Sequence, residues 1–184
     1  MVDIVTQAKA DLIQNVIFSV SKNGAFQRNK IYCNQQNSKN ALLFKKYLKI
    51  KLIETLEQIL KHKIYTDDDH YATIVKFSMD VSKDYKHCFN EEGINIGTAQ
   101  KLINLFWKMS WLLQNNIPVP IHCPFDGIII KGLGKEVKNM KWTSIDHIDN
   151  YKKLVMAVRT ISGDGSIAEW ELINYNIGNK ITLP

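Results

Sequence analysis

Two side chains stand where their type and setting suit covalent chemistry. Lys101 is a basic residue inside TAQKLINLFWKMSWLLQ, the most apolar stretch of the chain. An amine held there is partly desolvated, which favours its neutral, nucleophilic form. Asp126 lies in PIHCPFDGIIIKGLGK, between a proline-led turn and a glycine. A carboxylate at that point can balance positive charge on a reacting group and move protons. It can equally accept hydrogen bonds from the free amides that open a helix, and the residue types alone leave both roles open.

Glycine turns make a second group of candidates. Gly93 and Gly97 bracket GINIG, and Gly132 and Gly134 bracket a leucine between Lys131 and Lys135. Turns entering a helix expose backbone N–H groups that bind phosphate, and neighbouring lysines add charge, so these six residues are candidate nucleic-acid contacts. Glycine is also the usual helix terminator. The pairs His87-Cys88 and His122-Cys123 carry zinc-ligand chemistry, but neither has the C-x-x-C or H-x-x-x-H spacing that lets one element give two ligands. The run Asp67, Asp68, Asp69, His70 has no second carboxylate cluster to complete a Mg2+ site, and acidic residues suit a helix N-terminus. No metal and no cofactor is expected. P-loop, nucleophile-elbow and dinucleotide-binding patterns are missing as well.

These residues must be positioned by helices. Val5, Ala8, Leu12 and Val16 recur at helical spacing from Asp3 to Val20, and Phe44, Leu48, Leu52, Leu56 and Ile59 do so from Ala41 to Lys63. The second of these helices has a basic N-terminal half. A third follows Thr66, carrying Ile74, Phe77 and Val81. The stretch 98–114 is apolar around most of its circumference and so reads as a central, buried helix. Pro118 and Pro120 end it in an extended link, and Pro124 stands where a short helix opens. TSID (143–146) and SIAE (166–169) have the form of capping boxes before two last helices. No alternating strand set appears. The pattern predicts an all-α fold, a compact bundle of about seven helices in a single domain over 1–184, with a polar loop at about 21–40.

Composition narrows the partners. The 184 residues carry 24 Lys and Arg against 18 Asp and Glu, a net charge of +6. That balance favours an anionic partner such as nucleic acid, with DNA first. Only Arg28 and Arg159 are arginines, so lysines would attract the backbone while fork-like reading of guanine is nearly absent. No apolar run is long enough to span a bilayer and no secretory signal pattern leads the chain, which predicts a cytoplasmic protein with no membrane partner. Cys33, Cys88 and Cys123 are too few and too far apart for a disulfide framework.

The order GINIGTAQKLINLFWKMSW, a proline-containing link, then PFDGIII resembles the second half of the helix-hairpin-helix DNA glycosylase superfamily, over about residues 92–135. The resemblance implies a DNA glycosylase or abasic-site lyase acting on damaged or modified bases. Lys101 would be the amine that attacks the sugar, and Asp126 the carboxylate that stabilises the sugar cation and shuttles protons. The contrasting expectation is a non-enzymatic helical interaction or inhibitor module from a mobile element, its basic charge incidental.

Overall fold

The computed structural model describes residues 3–26, 38–85, 88–89 and 93–178. They form seven α-helices and one 3-10 turn, with no strand among the described residues. In chain order these are α1 (Ile4–Phe26), α2 (Ser38–Lys61), α3 (Asp67–Tyr85), α4 (Ile96–Leu113), α5 (Gly127–Gly132), the 3-10 turn Trp142–Ser144, α6 (Ile148–Ser162) and α7 (Ile167–Gly178). The all-α bundle that the periodicity predicts is the fold of the chain. No helix among the described residues is long and apolar enough to cross a membrane.

The axis of the bundle is α4. Its buried residues run from Ile96 to Ser110 around most of the helix, as its apolar circumference requires. α1, α2, α3 and α6 pack on it, burying Ile17 and Ala25 of α1, Phe44, Leu48 and Leu52 of α2, Ile74 and Phe77 of α3, and Leu154 and Val158 of α6. Asn95 caps α4: its Oδ1 accepts from the Thr98 amide at 2.9 Å. The other end of the same side chain donates to the Thr143 carbonyl at 2.8 Å, so one amide both opens α4 and fastens the 3-10 turn to it.

α3 opens with a reciprocal box. The Thr66 amide donates to Asp69 Oδ2 at 2.9 Å, and the Asp69 amide donates to Thr66 Oγ1 at 3.3 Å. α7 opens similarly, with the Glu169 amide donating to Ser166 Oγ at 3.3 Å.

Three boundaries differ from the sequence pattern. Residues 21–26 belong to α1, not to a loop, because Ser21 donates back to the Ile17 carbonyl at 2.8 Å and Ala25 and Phe26 are buried. Gly24 belongs there because a Cβ on it would come within 2.7 Å of Leu105 on α4. Residues 38–40 begin α2; of the predicted polar loop, 27–37 lies outside the described residues. TSID caps nothing: α6 starts later, after His147, with no side-chain cap. Asp146 instead accepts from Asn95 Nδ2 at 3.2 Å, so a distant amide takes the acid that the box would have used.

Candidate active site

One row of α4 holds the irregular link that follows it. Trp107 Nε1 donates to the Pro118 carbonyl at 3.0 Å and Asn104 Nδ2 to the Cys123 carbonyl at 2.9 Å. Gln100 grips Phe125 from both sides, donating to its carbonyl at 2.9 Å and accepting from its amide at 3.2 Å. Residues at i, i+4 and i+7 share a helix face, so α4 supplies in side chains the partners that a neighbouring strand would supply in backbone. The prolines of the link have no N–H to satisfy. The clamp on Phe125 fixes the residue after it, Asp126.

Asp126 is the N-cap of α5. Its Oδ1 accepts from the amides of Ile128 and Ile129, at 2.8 and 3.1 Å. Its Oδ2 faces Lys101, 3.7 Å from the ammonium nitrogen, and the two side chains are 23% and 9% exposed. The two roles left open by the sequence are thus compatible: one oxygen caps and the other meets the amine. The Lys101 nitrogen also lies 4.3 Å from the centre of the Trp142 ring, in cation–π range.

A second pair sits two turns along the same α4 stripe. Lys108 donates to Glu171 of α7 at 2.5 Å, with both side chains buried. Burial pushes the Glu171 carboxyl up, and Lys108 opposes that shift. The thiol of Cys123 is driven well above its ordinary value, first by burial and then by the Glu171 charge, so it stays a thiol and is no thiolate ligand.

Behind this wall runs a buried polar chain. Asn104 Nδ2 donates to the Tyr151 hydroxyl at 3.0 Å, and that hydroxyl is 2.9 Å from His122 Nδ1. His122 Nε2 meets Asp67 Oδ1 at 3.1 Å, and Arg159 closes the chain with a two-pronged contact to the same carboxylate. Asn104 Oδ1 is 2.7 Å from His70 Nε2. Burial lowers the pKa of both histidines, that of His70 to about 3. With His122 neutral, one arrangement gives every proton an acceptor: Tyr151 donates to Nδ1 and Nε2–H donates to Asp67. The hydrogen bond from His122, aided by Arg159, holds the Asp67 carboxyl well below the usual carboxylate range.

The remaining candidates are scattered. Gly97 is spent on packing: its amide donates to the Ile145 carbonyl at 2.9 Å, and a Cβ would overlap the Trp142 carbonyl oxygen. Gly93 takes a φ of +133° against Ser82, a backbone state suited to glycine. Both belong to the seam between α4 and its neighbours. Gly132 and Gly134 have open space around them, and Lys131 and Lys135 beside them are exposed. His87 lies outside the described residues, and among the described residues no three His, Cys, Asp or Glu side chains converge as a metal site.

Lys108, Glu171 and the His122–Tyr151–Asn104 chain are not among the sequence-predicted residues. The signal available was Gln100, Lys101, Asn104 and Lys108 together, one polar stripe on an otherwise apolar helix. Comparison with protein families, with curated proteins and with solved structures finds no match to this chain.

Proposed function

We propose that this chain is a nucleic-acid-binding protein whose Lys101–Asp126 pair is the reaction centre of a DNA glycosylase or abasic-site lyase. The observation that carries the reading is the approach of these two groups, 25 positions apart in sequence, to 3.7 Å with Asp126 Oδ2 directed at the amine. Lys101 gives up a proton to become a nucleophile, and Asp126 is placed to take it. The free amine then attacks C1′ of the sugar, the bond from C1′ to the base breaks, and the base leaves with the bonding electrons and gains a proton. On an abasic site the same amine condenses with the C1′ aldehyde to an imine, releasing water.

The test is borohydride reduction in the presence of duplex DNA bearing an abasic site. The unaltered chain is expected to give a covalent protein–DNA adduct and Lys101→Gln none. Asp126→Asn keeps an acceptor for the α5 cap, so it should fold normally while trapping slowly. Absence of an adduct with the unaltered chain, or full trapping by Lys101→Gln, overturns the reading.

A second reading is a non-enzymatic interaction module. It draws support from Ile4, Val5 and Leu12 on α1, which are 85, 57 and 64% exposed. No adduct together with a stable protein complex would favour it.

A further inference from the structure

The positive charge is concentrated in one part of the chain. Residues 1–53 hold nine Lys and Arg against two Asp, a balance of +7, whereas residues 54–184 hold fifteen against sixteen, a balance of −1. The net +6 of the chain is therefore carried by its first 53 residues.

Four lysines among the described residues pair with acids. Lys51 and Lys76 share Asp80, Lys101 meets Asp126, and Lys108 meets Glu171. Lys22 of α1 and Lys45, Lys46 and Lys49 of α2 make no salt bridge among the described residues. Lys49 reaches only a neutral group, Asn15 Oδ1 at 2.8 Å, which ties α2 to α1. Lys22 and Lys45 face each other closely enough for Lys45 to help lower the Lys22 pKa, after burial. Lys45 and Lys46 are exposed.

Geometry makes this a tract. Positions 45, 46 and 49 fall within an arc of about 100° on α2, and four residues of helix advance about 6 Å. Phosphates of one strand advance about 3.4 Å per step along the duplex axis, so one turn of α2 presents its lysines to a short run of phosphates. The tract has no arginine fork and no aromatic ring among Lys22, Lys45, Lys46 and Lys49, hence no means of reading base edges or stacking on bases.

We infer that the face formed by Lys22, Lys45, Lys46 and Lys49 on α1 and α2 grips the phosphate backbone of duplex nucleic acid without reading its sequence. This deepens the nucleic-acid reading above and rests on it. It places the gripping surface on different residues from the glycine turn at 132–134.

The test is fluorescence anisotropy of a labelled 20-base-pair DNA duplex with the full chain across a salt series. Lys45→Glu/Lys46→Glu should weaken binding at least tenfold at low salt. Lys45→Ala/Lys46→Ala should flatten the slope of log K against log salt by about 2, near 0.9 per phosphate contact. The charge-matched Lys135→Glu/Lys138→Glu should weaken it far less. Equal binding by the Lys45/Lys46 variants, or a larger loss in the Lys135/Lys138 variant, overturns this inference while leaving nucleic-acid binding intact. No salt-dependent binding by the unaltered chain overturns the nucleic-acid reading itself. Leu42 and Leu43 are exposed beside the tract. Duplex affinity that falls as far with Leu42→Ser/Leu43→Ser as with the lysine changes would show that the contact is not carried by the lysine charges and would also overturn the inference.

Discussion

Replacing Asn104 by Leu puts the buried polar chain to its sharpest test. The two side chains are close in size, so the packing change is small and the loss is one of hydrogen bonds. Asn104 is fully buried and its amide serves Gln100, Cys123 and Tyr151 while its carbonyl serves His70. Gln100 Oε1 keeps the Phe125 amide and Tyr151 keeps His122. The Cys123 carbonyl and His70 Nε2 lose the contacts named here. Each buried polar group left without a partner costs about 1–3 kcal/mol, so the pair predicts a loss of about 4 kcal/mol. For a chain of this length that lowers Tm by roughly 8–16 °C. Urea unfolding followed by far-ultraviolet circular dichroism measures it, with an unchanged m confirming that the same surface is exposed. A cycle with His70→Leu should show coupling of about 1 kcal/mol or more, since each residue is the other's partner. A loss below about 1 kcal/mol, or strict additivity with His70→Leu, would refute the account.

Lys108→Met alone strands the Glu171 carboxylate and should cost about 3–5 kcal/mol in chemical unfolding, whereas Lys108→Met/Glu171→Met should regain most of it; a double variant no better than the single would mean that the pair is not self-contained. The histidines set a pH dependence. His70 has a folded pKa of about 3 against an ordinary 6.5, so the unfolded chain takes the proton first. Stability is complete above about pH 6.5 and falls toward pH 3, with a slope of up to about 1.4 kcal/mol per pH unit for each such histidine. His70→Gln should flatten unfolding free energy between pH 6.5 and 4.5; an unaltered slope counts against the assignment. Asp67 acts in the same direction, in a more acidic window. Its depressed pKa gives stability that is present above about pH 4 and is lost only below it.

Local chemistry was well legible in the sequence. The Thr66–Asp69 box, the Ser166 cap and the buried circumference of α4 follow from short-range rules, as does a helix beginning next to Asp126. What escaped depends on encounters across the chain. TSID looked like a cap because its spacing is right, yet Asn95, about fifty positions away, competes for Asp146 and wins. Residues 21–26 looked like a loop because Gly24 and the polar run after it outweigh Ala25 and Phe26 in a local window. Contact with α4 reverses that balance. His122 appeared as half of a weak metal pair, and only the fold brings Asp67 and Tyr151 to its two nitrogens. Lys101 and Asp126 stand out by type and setting, while nothing local marks Lys108, although it shares their stripe. Its partner Glu171 lies on α7, and no spacing rule connects the two.

The row Gln100, Asn104 and Trp107 has a consequence for how uniquely the chain folds. Apolar contacts along α4 carry no directional requirement, so they specify its position along the axis less sharply than hydrogen bonds do, and a slide of one turn is about 5.4 Å. The same slide would set each of these three donors opposite the wrong carbonyl and pull Lys101 and Lys108 away from their acids. Greasy contacts supply cohesion here, and the polar row acts as a vernier that admits one alignment of the helix against the link and discards its neighbours.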